Sequence, residues 1–259
     1  MKTLYRFAPK TAGKVSLPKE RGFILQEGIS PIDGKPFVVI MTMVSKNRKT
    51  GNMAQVFVLR QDVNPVDAIA SGDDVTVCGN CPHRRKQIFN EKTKKFQWIR
   101  SCYVNVGQAP NMVWKTYKKG GYKYWNMFSH DVYLQNRKVR WGAYGDPAII
   151  SAPIVEYINS LAIGHTGYTH QWKEDFAKPF AGVFQASCDG MADYLQATAN
   201  GWKTFLVVPV GATPSTGKIC PATVTNSVAQ CLTCSLCDGA KQNIFVEAHG
   251  SGAKHVTAV

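Results

Sequence analysis

Seven of the eight cysteines fall into two groups whose spacing is typical of metal sites. The second group, Cys220, Cys231, Cys234 and Cys237, places four thiols within a stretch of 18 residues. Four thiolates complete a tetrahedral zinc site, and they also hold an iron-sulfur cluster. The spacing therefore predicts a metal site in this segment and leaves zinc and a 4Fe-4S cluster both open.

The first group consists of Cys78, Cys81 and Cys102. A Cys-x-x-Cys pair places two thiolates on one tight turn, and Cys102 would return a third ligand from across an insertion. His83 would supply a fourth ligand, or that position would stay open. The alternative is a redox-active pair with Cys102 merely buried. Cys188 lies outside both groups and is predicted to be a small buried residue, with a site role as the alternative because it precedes Asp189 at a strand end.

The composition is that of a globular protein. The chain has 259 residues, 44% hydrophobic and 19% charged, enough for one large domain or two small ones. Lys and Arg exceed Asp and Glu by 31 to 17, which favours a polyanionic partner such as nucleic acid. The longest apolar run, residues 37–44, is too short to span a membrane. We therefore expect a cytoplasmic protein, whose clustered cysteines bind metal and do not form disulfides.

Residues 1–74 and residues 75–259 differ in their predicted secondary structure. Residues 1–74 are predicted to form a small β-rich N-terminal subdomain, in which strands at 37–44 and 53–60 pair across the basic turn 45–52 and a short helix follows at 65–70. Residues 75–259 are predicted to form an α/β metal-binding domain that includes the C-terminal four-cysteine site.

The second region alternates β-like and helical segments. Its helical segments are 152–162 and 190–201. Its β-like segments are 75–78, 138–144, 163–168, 182–187, 204–210 and 243–248. Such alternation predicts βα units in a partial parallel (β/α) barrel-like domain or an open doubly wound fold. In both, functional side chains gather at the carboxyl ends of the strands.

Polar residues end several of these segments. Asp146 would point into a pocket after 138–144, or it would cap a helix that begins at Pro147. His165 and His170 would face opposite sides of an extended strand and would not share a metal. His170, at the strand end, is the better candidate for acid-base chemistry, with a purely structural histidine as the alternative. His249 ends another segment in the same way.

A stretch at 113–125 interleaves lysines with aromatic residues. Lysines neutralise phosphates and aromatic rings stack on bases, as in single-strand binding grooves. The alternative is a set of amphipathic helix ends with solvated lysines. Together with two arginines near the first cysteine group, the candidate nucleic-acid-binding residues are Arg84, Arg85, Lys115, Lys118, Lys119, Lys123, Tyr117 and Tyr122. The chain contains no GxxxxGK[ST], GxGxxG, GxSxG or HExxH motif, so the corresponding nucleotide and hydrolase sites have no basis.

Six segments together resemble an uncharacterised cysteine-rich family encoded in bacteriophage genomes. They are CGNCPHR, SCYVNVGQAP, RWGAYGDPA, GYTHQW, GWKTF and CPA followed by CLTCSLCDG, and the likeness runs from about residue 75 to 250. This resemblance implies a phage or prophage source, and hence the cytoplasm of an infected bacterial host.

More distantly, the layout resembles radical-SAM enzymes, in which a partial (β/α) barrel carries a three-cysteine 4Fe-4S site. The resemblance implies that Cys78, Cys81 and Cys102 bind that cluster, with S-adenosylmethionine on the open iron. It implies an auxiliary cluster or zinc at the C-terminal four cysteines. The segment that contacts the methionyl group would include Gly142, Gly145 and Asp146. The chain departs from the family pattern because twenty residues separate Cys81 from Cys102, where the family has a compact CxxxCxxC loop.

These features lead to one principal hypothesis and two others. The first is an iron-sulfur, radical-SAM-like phage protein with one or two 4Fe-4S clusters, acting on or near nucleic acid, with Asp146 and His170 lining its pocket. The second is a non-catalytic zinc-binding nucleic-acid-binding protein that serves phage replication or host takeover. The third is an inhibitor that uses its basic surface against an acidic host protein.

Overall fold

The computed structural model describes residues 20–209, 211–212, 217–224, 227–249 and 253–256. In chain order the strands are β1 Gly22–Ile29, β2 Pro36–Thr42, β3 Ala54–Arg60, β4 Lys86–Asn90, β5 Lys95–Ile99, β6 Lys123–Tyr124, β7 Lys138–Tyr144, β8 Gly164–Thr166, β9 Tyr168–Thr169, β10 Gln185–Cys188, β11 Thr204–Val208, β12 Lys218–Ile219 and β13 Ile244–Glu247. The α-helices are α1 Pro65–Ser71, α2 Val75–Cys78, α3 Ala109–Lys118, α4 Ala152–Leu161, α5 Met191–Ala199 and α6 Cys231–Cys234. Short 3-10 helices cover Asp131–Tyr133, Pro147–Ile149, Asp175–Phe180, Pro221–Thr223 and Ala253–His255.

The first sheet has six strands in the order β6-β1-β2-β3-β7-β8. Strands β1, β2 and β3 pair antiparallel, which confirms the hairpin predicted from residues 37–44 and 53–60. Strand β3 then pairs in parallel with β7, and β7 with β8. Strands from both sides of the domain boundary predicted at residue 74 therefore belong to one sheet. Residues 1–19 of the predicted subdomain lie outside the described residues.

The second sheet has five strands in the order β12-β13-β11-β10-β9, all parallel. The chain enters it at Gly167, between β8 and β9. A Cβ at this position would lie 2.7 Å from the Phe184 ring and 3.1 Å from Trp141 Cβ, so only glycine fits. The alternating pattern correctly predicted a mixed α/β fold with parallel strands. Neither sheet is closed within the described residues.

One hydrophobic core joins both predicted regions, since it extends from Phe23 on β1 to Phe245 on β13. Strand β3 is buried along its whole length, as expected for a continuous apolar run covered on both faces. Helices α1 and α3 pack against it. The end of β3 is thereby fixed next to α2, which leads into the first cysteine pair.

Residues 75–78, predicted as a strand, form helix α2 instead, and that prediction was wrong. A run of four apolar and β-branched residues is too short to show a period. Hydrogen bonds from Cys78 N to Asp74 O at 2.9 Å, and from Arg60 Nη1 on β3 to Thr76 Oγ1 at 2.9 Å, fix the helical turn. Cys78 therefore ends a helix.

Strand β1 and the hairpin of β4 with β5 are among the elements that the sequence did not predict. The hairpin lies within the insertion between Cys81 and Cys102. Its residues are mostly exposed, so no buried face produced an apolar period. Within the described part of the chain, no helix is both long enough and apolar enough to cross a membrane.

Candidate functional site

The polar residues that follow strands β7, β9, β10 and β13 gather at the carboxyl edge of the parallel strands. They are Asp146, His170, Asp189 and His249. Parallel pairing carries the ends of β9, β10 and β13 to one side of the second sheet. The hydrogen bond from His170 N to Asp146 Oδ2 joins the end of β7, in the first sheet, to them. A cavity of about 320 Å³ lies here, and Asp146, His170 and His249 line it. Three of these four polar residues thus line a cavity at the edge where the sequence predicted that functional side chains would gather.

Both cysteine groups line this one cavity. The first contributes Cys78, Cys81 and Cys102; the second contributes Cys220, Cys231 and Cys237. All eight cysteines are free thiols. The sequence predicted two separate sites, and the fold brings both to the same cavity.

The first group is assembled by backbone contacts. Cys81 N donates to Cys78 O at 3.3 Å, and Cys102 N donates to His83 O at 3.0 Å, which brings the far end of the insertion back to the pair. Burial raises the pKa of the Cys78 thiol well above its ordinary value, and the neighbouring Cys81 and Cys102 raise it further. Closely spaced buried thiolates repel one another, so a cation is needed to hold them deprotonated.

The second group is held by backbone contacts to a turn of the first sheet and to a strand of the second. Cys231 N donates to Lys49 O at 3.0 Å, so the predicted basic turn 45–52 supports helix α6. Cys220 N donates to Phe245 O at 2.8 Å on β13. Burial raises the pKa of Cys237 well above its ordinary value, and the other three thiols of the group add to the shift. The four cysteines therefore lie near one another, as the spacing predicted.

A third cluster combines His83, His170 and Asp189. In the part of the chain that the structure describes, it is the one set of three or more histidine, cysteine or carboxylate side chains whose ligand atoms all lie within 4.8 Å of one another. The two cysteine groups are gathered, but their sulfur atoms are spaced more widely than this. Asp189 was not predicted as a site residue, although its position directly after strand β10 matches that of Asp146 after β7.

Charge complementarity holds this cluster together. Burial raises the pKa of Asp189, but the close contacts and charges of His170 and His83 outweigh it and hold the pKa below its ordinary value. Burial lowers the pKa of His170, whereas the nearby Cys81 and the Asp189 carboxylate raise it well above its ordinary value. Cys81 of the first cysteine group is thus close enough to this cluster to shift the pKa of His170.

Asp146, predicted as a catalytic and cofactor-binding residue, uses both carboxylate oxygens inside the protein. Oδ1 accepts the Ala148 N–H at 3.0 Å and caps the 3-10 helix Pro147–Ile149, which is the alternative role that the sequence allowed. Oδ2 accepts the His170 N–H at 2.8 Å. Burial raises its pKa, and these hydrogen bonds oppose the shift. Asp146 is therefore a positioning residue for His170.

Gly142 and Gly145, predicted to bind a cofactor, line the cavity and have positive φ angles of 65° and 75°. A Cβ on Gly145 would lie 2.3 Å from Val58 O, and one on Gly142 would lie 2.9 Å from Pro147 Cδ. The close approach of Val58 on β3 thus accounts for Gly145, and that of Pro147 accounts for Gly142, without a ligand.

Arg140 on β7 is a cavity residue that the sequence did not single out. Its side chain is buried, with hydrogen bonds from Nη1 to Gln55 Oε1 at 3.3 Å and from Nη2 to the hydroxyls of Tyr103 and Tyr168 at 3.1 and 3.4 Å. No carboxylate of the described residues pairs with it. Burial opposes the charge, yet its pKa is raised by the tyrosines and by Cys231. A buried guanidinium without a carboxylate favours an anionic ligand or a thiolate-held metal.

His165 and His170 have separate surroundings, as the sequence predicted. His165 Nε2 contacts the Val183 carbonyl at 2.9 Å, away from the cluster, whereas His170 faces the cavity. Cys188 is fully buried in the hydrophobic core, which agrees with its predicted role.

The predicted nucleic-acid-binding residues divide into two sets. Arg84 pairs with Asp74 at 2.7 Å, and Lys123 pairs with Glu20 at 2.6 Å, so both cations are already neutralised. Tyr117 donates to Glu27 from its hydroxyl, and Tyr122 packs against the core. The remaining candidates are Arg85, which stacks on Trp98, and the lysines at the end of helix α3, Lys115, Lys118 and Lys119.

Compared with protein-family models, with curated proteins and with solved structures, the chain matches none.

Proposed function

We propose that this chain is a metalloenzyme whose substrate occupies the cavity between two cysteine-held metal centres. The observation that carries the proposal is that both cysteine groups line one cavity at the carboxyl ends of parallel strands. A four-thiolate site that only stabilises a fold is closed and needs no neighbouring cavity. Enzyme sites, in contrast, are concave and typically occupy this edge of parallel sheets.

The leading form of the proposal is an iron-sulfur, radical-SAM-like enzyme of phage origin that acts on or near nucleic acid. Cys78, Cys81 and Cys102 would hold a 4Fe-4S cluster with one open iron for S-adenosylmethionine. The C-terminal four cysteines would hold a second cluster or zinc. The donor set fits, because three neighbouring cysteine thiols are the ligands of such a cluster. When bound, the cluster supplies one-electron chemistry.

The protein groups around the cavity have separate roles in this proposal. Arg140 provides the fixed positive charge that binds a carboxylate or phosphate of the ligand. Tyr103 and Tyr168 hold the Arg140 guanidinium in position through their hydroxyls. His170 faces the cavity, and Asp146 fixes its backbone.

The test is anaerobic purification, with iron, zinc and sulfide measured per chain together with the visible absorption spectrum. Iron and sulfide equal to one or two clusters per chain, with binding of S-adenosylmethionine, would support the proposal. Cys102→Ser should lose one cluster, whereas Cys188→Ala, at the cysteine outside both groups, should keep the wild-type content. Zinc without iron, and no affinity for S-adenosylmethionine, would refute it.

The β4–β5 hairpin favours a second candidate function, a non-catalytic zinc protein that binds nucleic acid. Three aromatic side chains of this two-stranded ribbon are exposed: Phe89 by 43%, Phe96 by 67% and Trp98 by 56%. Arg85 lies 4.2 Å above the Trp98 ring. The lysines of the hairpin are Lys86, Lys92, Lys94 and Lys95. Exposed rings interleaved with cations suit stacking on bases and contact with phosphates.

Fluorescence anisotropy with labelled single-stranded DNA and RNA tests this candidate. Affinity should fall steeply as salt rises, because phosphate contacts release counterions. Trp98→Ala should weaken binding through the loss of stacking, about 1–3 kcal/mol per base. Lys178→Gln, which removes a lysine paired with Asp175, is the control. Absence of binding at low salt would eliminate this candidate.

A further inference from the structure

Three buried polar atoms without a hydrogen-bond partner converge beside the cavity. They are His83 Nε2, His170 Nε2 and Asp189 Oδ1. His83 Nε2 lies 2.8 Å from Asp189 Oδ1, and His170 Nε2 lies 3.5 Å from Asp189 Oδ2, yet neither contact has the direction of a hydrogen bond. Buried polar atoms nearly always have a hydrogen-bond partner. Three side chains with such atoms, which meet one another at ion-pair distances, are therefore placed as the ligands of one shared cation would be.

The surrounding contacts orient two of these side chains toward that point. His83 Nδ1 contacts Ser101 Oγ at 2.8 Å, which leaves Nε2 as the free ring nitrogen. Asp146 holds the backbone of His170. The two imidazole rings meet edge to face, with centroids 5.5 Å apart and an angle of 75° between their planes. The second ring nitrogen of His83 is thus held by a neighbouring polar group, as is typical of histidines that bind metal.

We propose that His83, His170 and Asp189 bind one divalent transition-metal ion, iron(II) or zinc. Two imidazoles and one carboxylate are the donor set of mononuclear iron(II) sites and of catalytic zinc sites, in which further coordination positions stay open. All three ligand atoms already lie within 4.8 Å of one another. His83 and His170 line the cavity, so an open position on the ion would face a bound substrate.

This inference goes beyond the proposed function and does not depend on it, because the ligands are distinct from the seven cysteines. The ion would add a Lewis acid, or a bound water of lowered pKa, to the same cavity. The proposed enzyme would then hold a mononuclear ion beside its thiol-bound centres.

Cobalt(II) binding to the full chain tests the inference. Protein stripped of metal under argon is titrated with Co²⁺, and bound ions per chain are counted by equilibrium dialysis alongside the visible spectrum. His83→Ala, His170→Ala and Asp189→Asn should each bind one ion fewer than wild type. His165→Ala removes a histidine outside the cluster and should bind the wild-type number. Equal binding by the three cluster variants and wild type would overturn the inference.

Two further measurements guard against misfolded variants. Ser101→Ala leaves all three ligands in place and should weaken Co²⁺ binding at this site about 10–100-fold, as changes next to metal ligands do. In the wild-type chain, Zn²⁺ should protect His83 and His170 from diethylpyrocarbonate, with the modified residues identified by peptide mass spectrometry. Equal modification of both histidines with and without Zn²⁺ would contradict the inference.

The two proposals fail separately. Iron and sulfide absent from the anaerobic protein, with one Co²⁺ still lost in the cluster variants, would refute the iron-sulfur function and leave the histidine-aspartate site standing. Iron and sulfide present, with unchanged Co²⁺ binding in the variants, would refute only the site.

Discussion

The Asp146 carboxylate fixes the position of His170, since Oδ2 of Asp146 accepts the backbone N–H of His170 at 2.8 Å. Its other oxygen caps the 3-10 helix that follows β7. One buried carboxylate therefore links the ends of β7 and β9, which belong to different sheets, at the edge of the cavity.

Asp146→Asn should destabilise the protein by about 1–3 kcal/mol, because an amide nitrogen would then face one of two buried N–H donors. Urea unfolding of the two proteins measures the difference. Asp175→Asn changes an exposed carboxylate and should leave the unfolding midpoint unaltered. If Asp146→Asn unfolds at the wild-type midpoint, the linking role of Asp146 is wrong.

Arg60→Gln should destabilise the protein at pH 7 by about 1–3 kcal/mol, because buried Arg60 donates two hydrogen bonds to Asp62 and one to Thr76 on helix α2. The Arg60 hydrogen bonds hold the pKa of Asp62 below its ordinary value near 3.8. This part of the stability is therefore present above that pH and is lost as the pH falls through the lowered pKa.

Unfolding free energies of wild type and Arg60→Gln at pH 7 and pH 3 measure this dependence. The difference between the two proteins should shrink at the lower pH, and the Thr76 contact should preserve part of it. Lys173→Gln removes an ion pair with Asp193 on the surface and should have little effect at either pH. A difference that grows with acidification would contradict the assignment.

Gly145→Ala should destabilise the protein by well over 1 kcal/mol. Its φ of 75° disfavours any side chain, and a Cβ would lie 2.3 Å from the Val58 carbonyl of β3. Gly182→Ala is a matched control, since Gly182 has φ of 84° and a Cβ at that position would have no atom within 4 Å. The control should lose only the stability that a positive φ costs an alanine, about 1–2 kcal/mol. Equal losses in thermal unfolding would show that contact with β3 is unimportant.

Metal removal should lower the melting temperature, because metal binds only the folded arrangement of the thiols. An ion present at a hundred times its dissociation constant contributes about 2.7 kcal/mol. Calorimetry with and without a chelator measures this loss. The shift should persist in Cys188→Ala and diminish in a Cys234→Ser variant. An unchanged wild-type melting temperature would argue against resident metal.

The amino-acid sequence alone determined the local features of this protein. The hairpin at 37–44 and 53–60 and the strand 138–144 were predictable as β-rich runs bounded by turn residues. The helices at 152–162 and 190–201 were predictable because each is long enough to show its own period. The four-cysteine group at 220–237 was recognisable because its ligands lie close along the chain. Residues 75–78 were predicted wrongly, since four residues show no period and contacts with Arg60 and Asp74 decided their conformation.

Only the tertiary structure decided which of these features share a site. The two cysteine groups lie far apart in sequence, and the fold brings both to one cavity. Asp189 joins His83 and His170 only because β9 and β10 are neighbours in the second sheet and the insertion returns to the Cys78 loop. Spacing along the chain specifies ligands that share a turn, whereas ligands from different strands are brought together by the burial of the sheets in a common core.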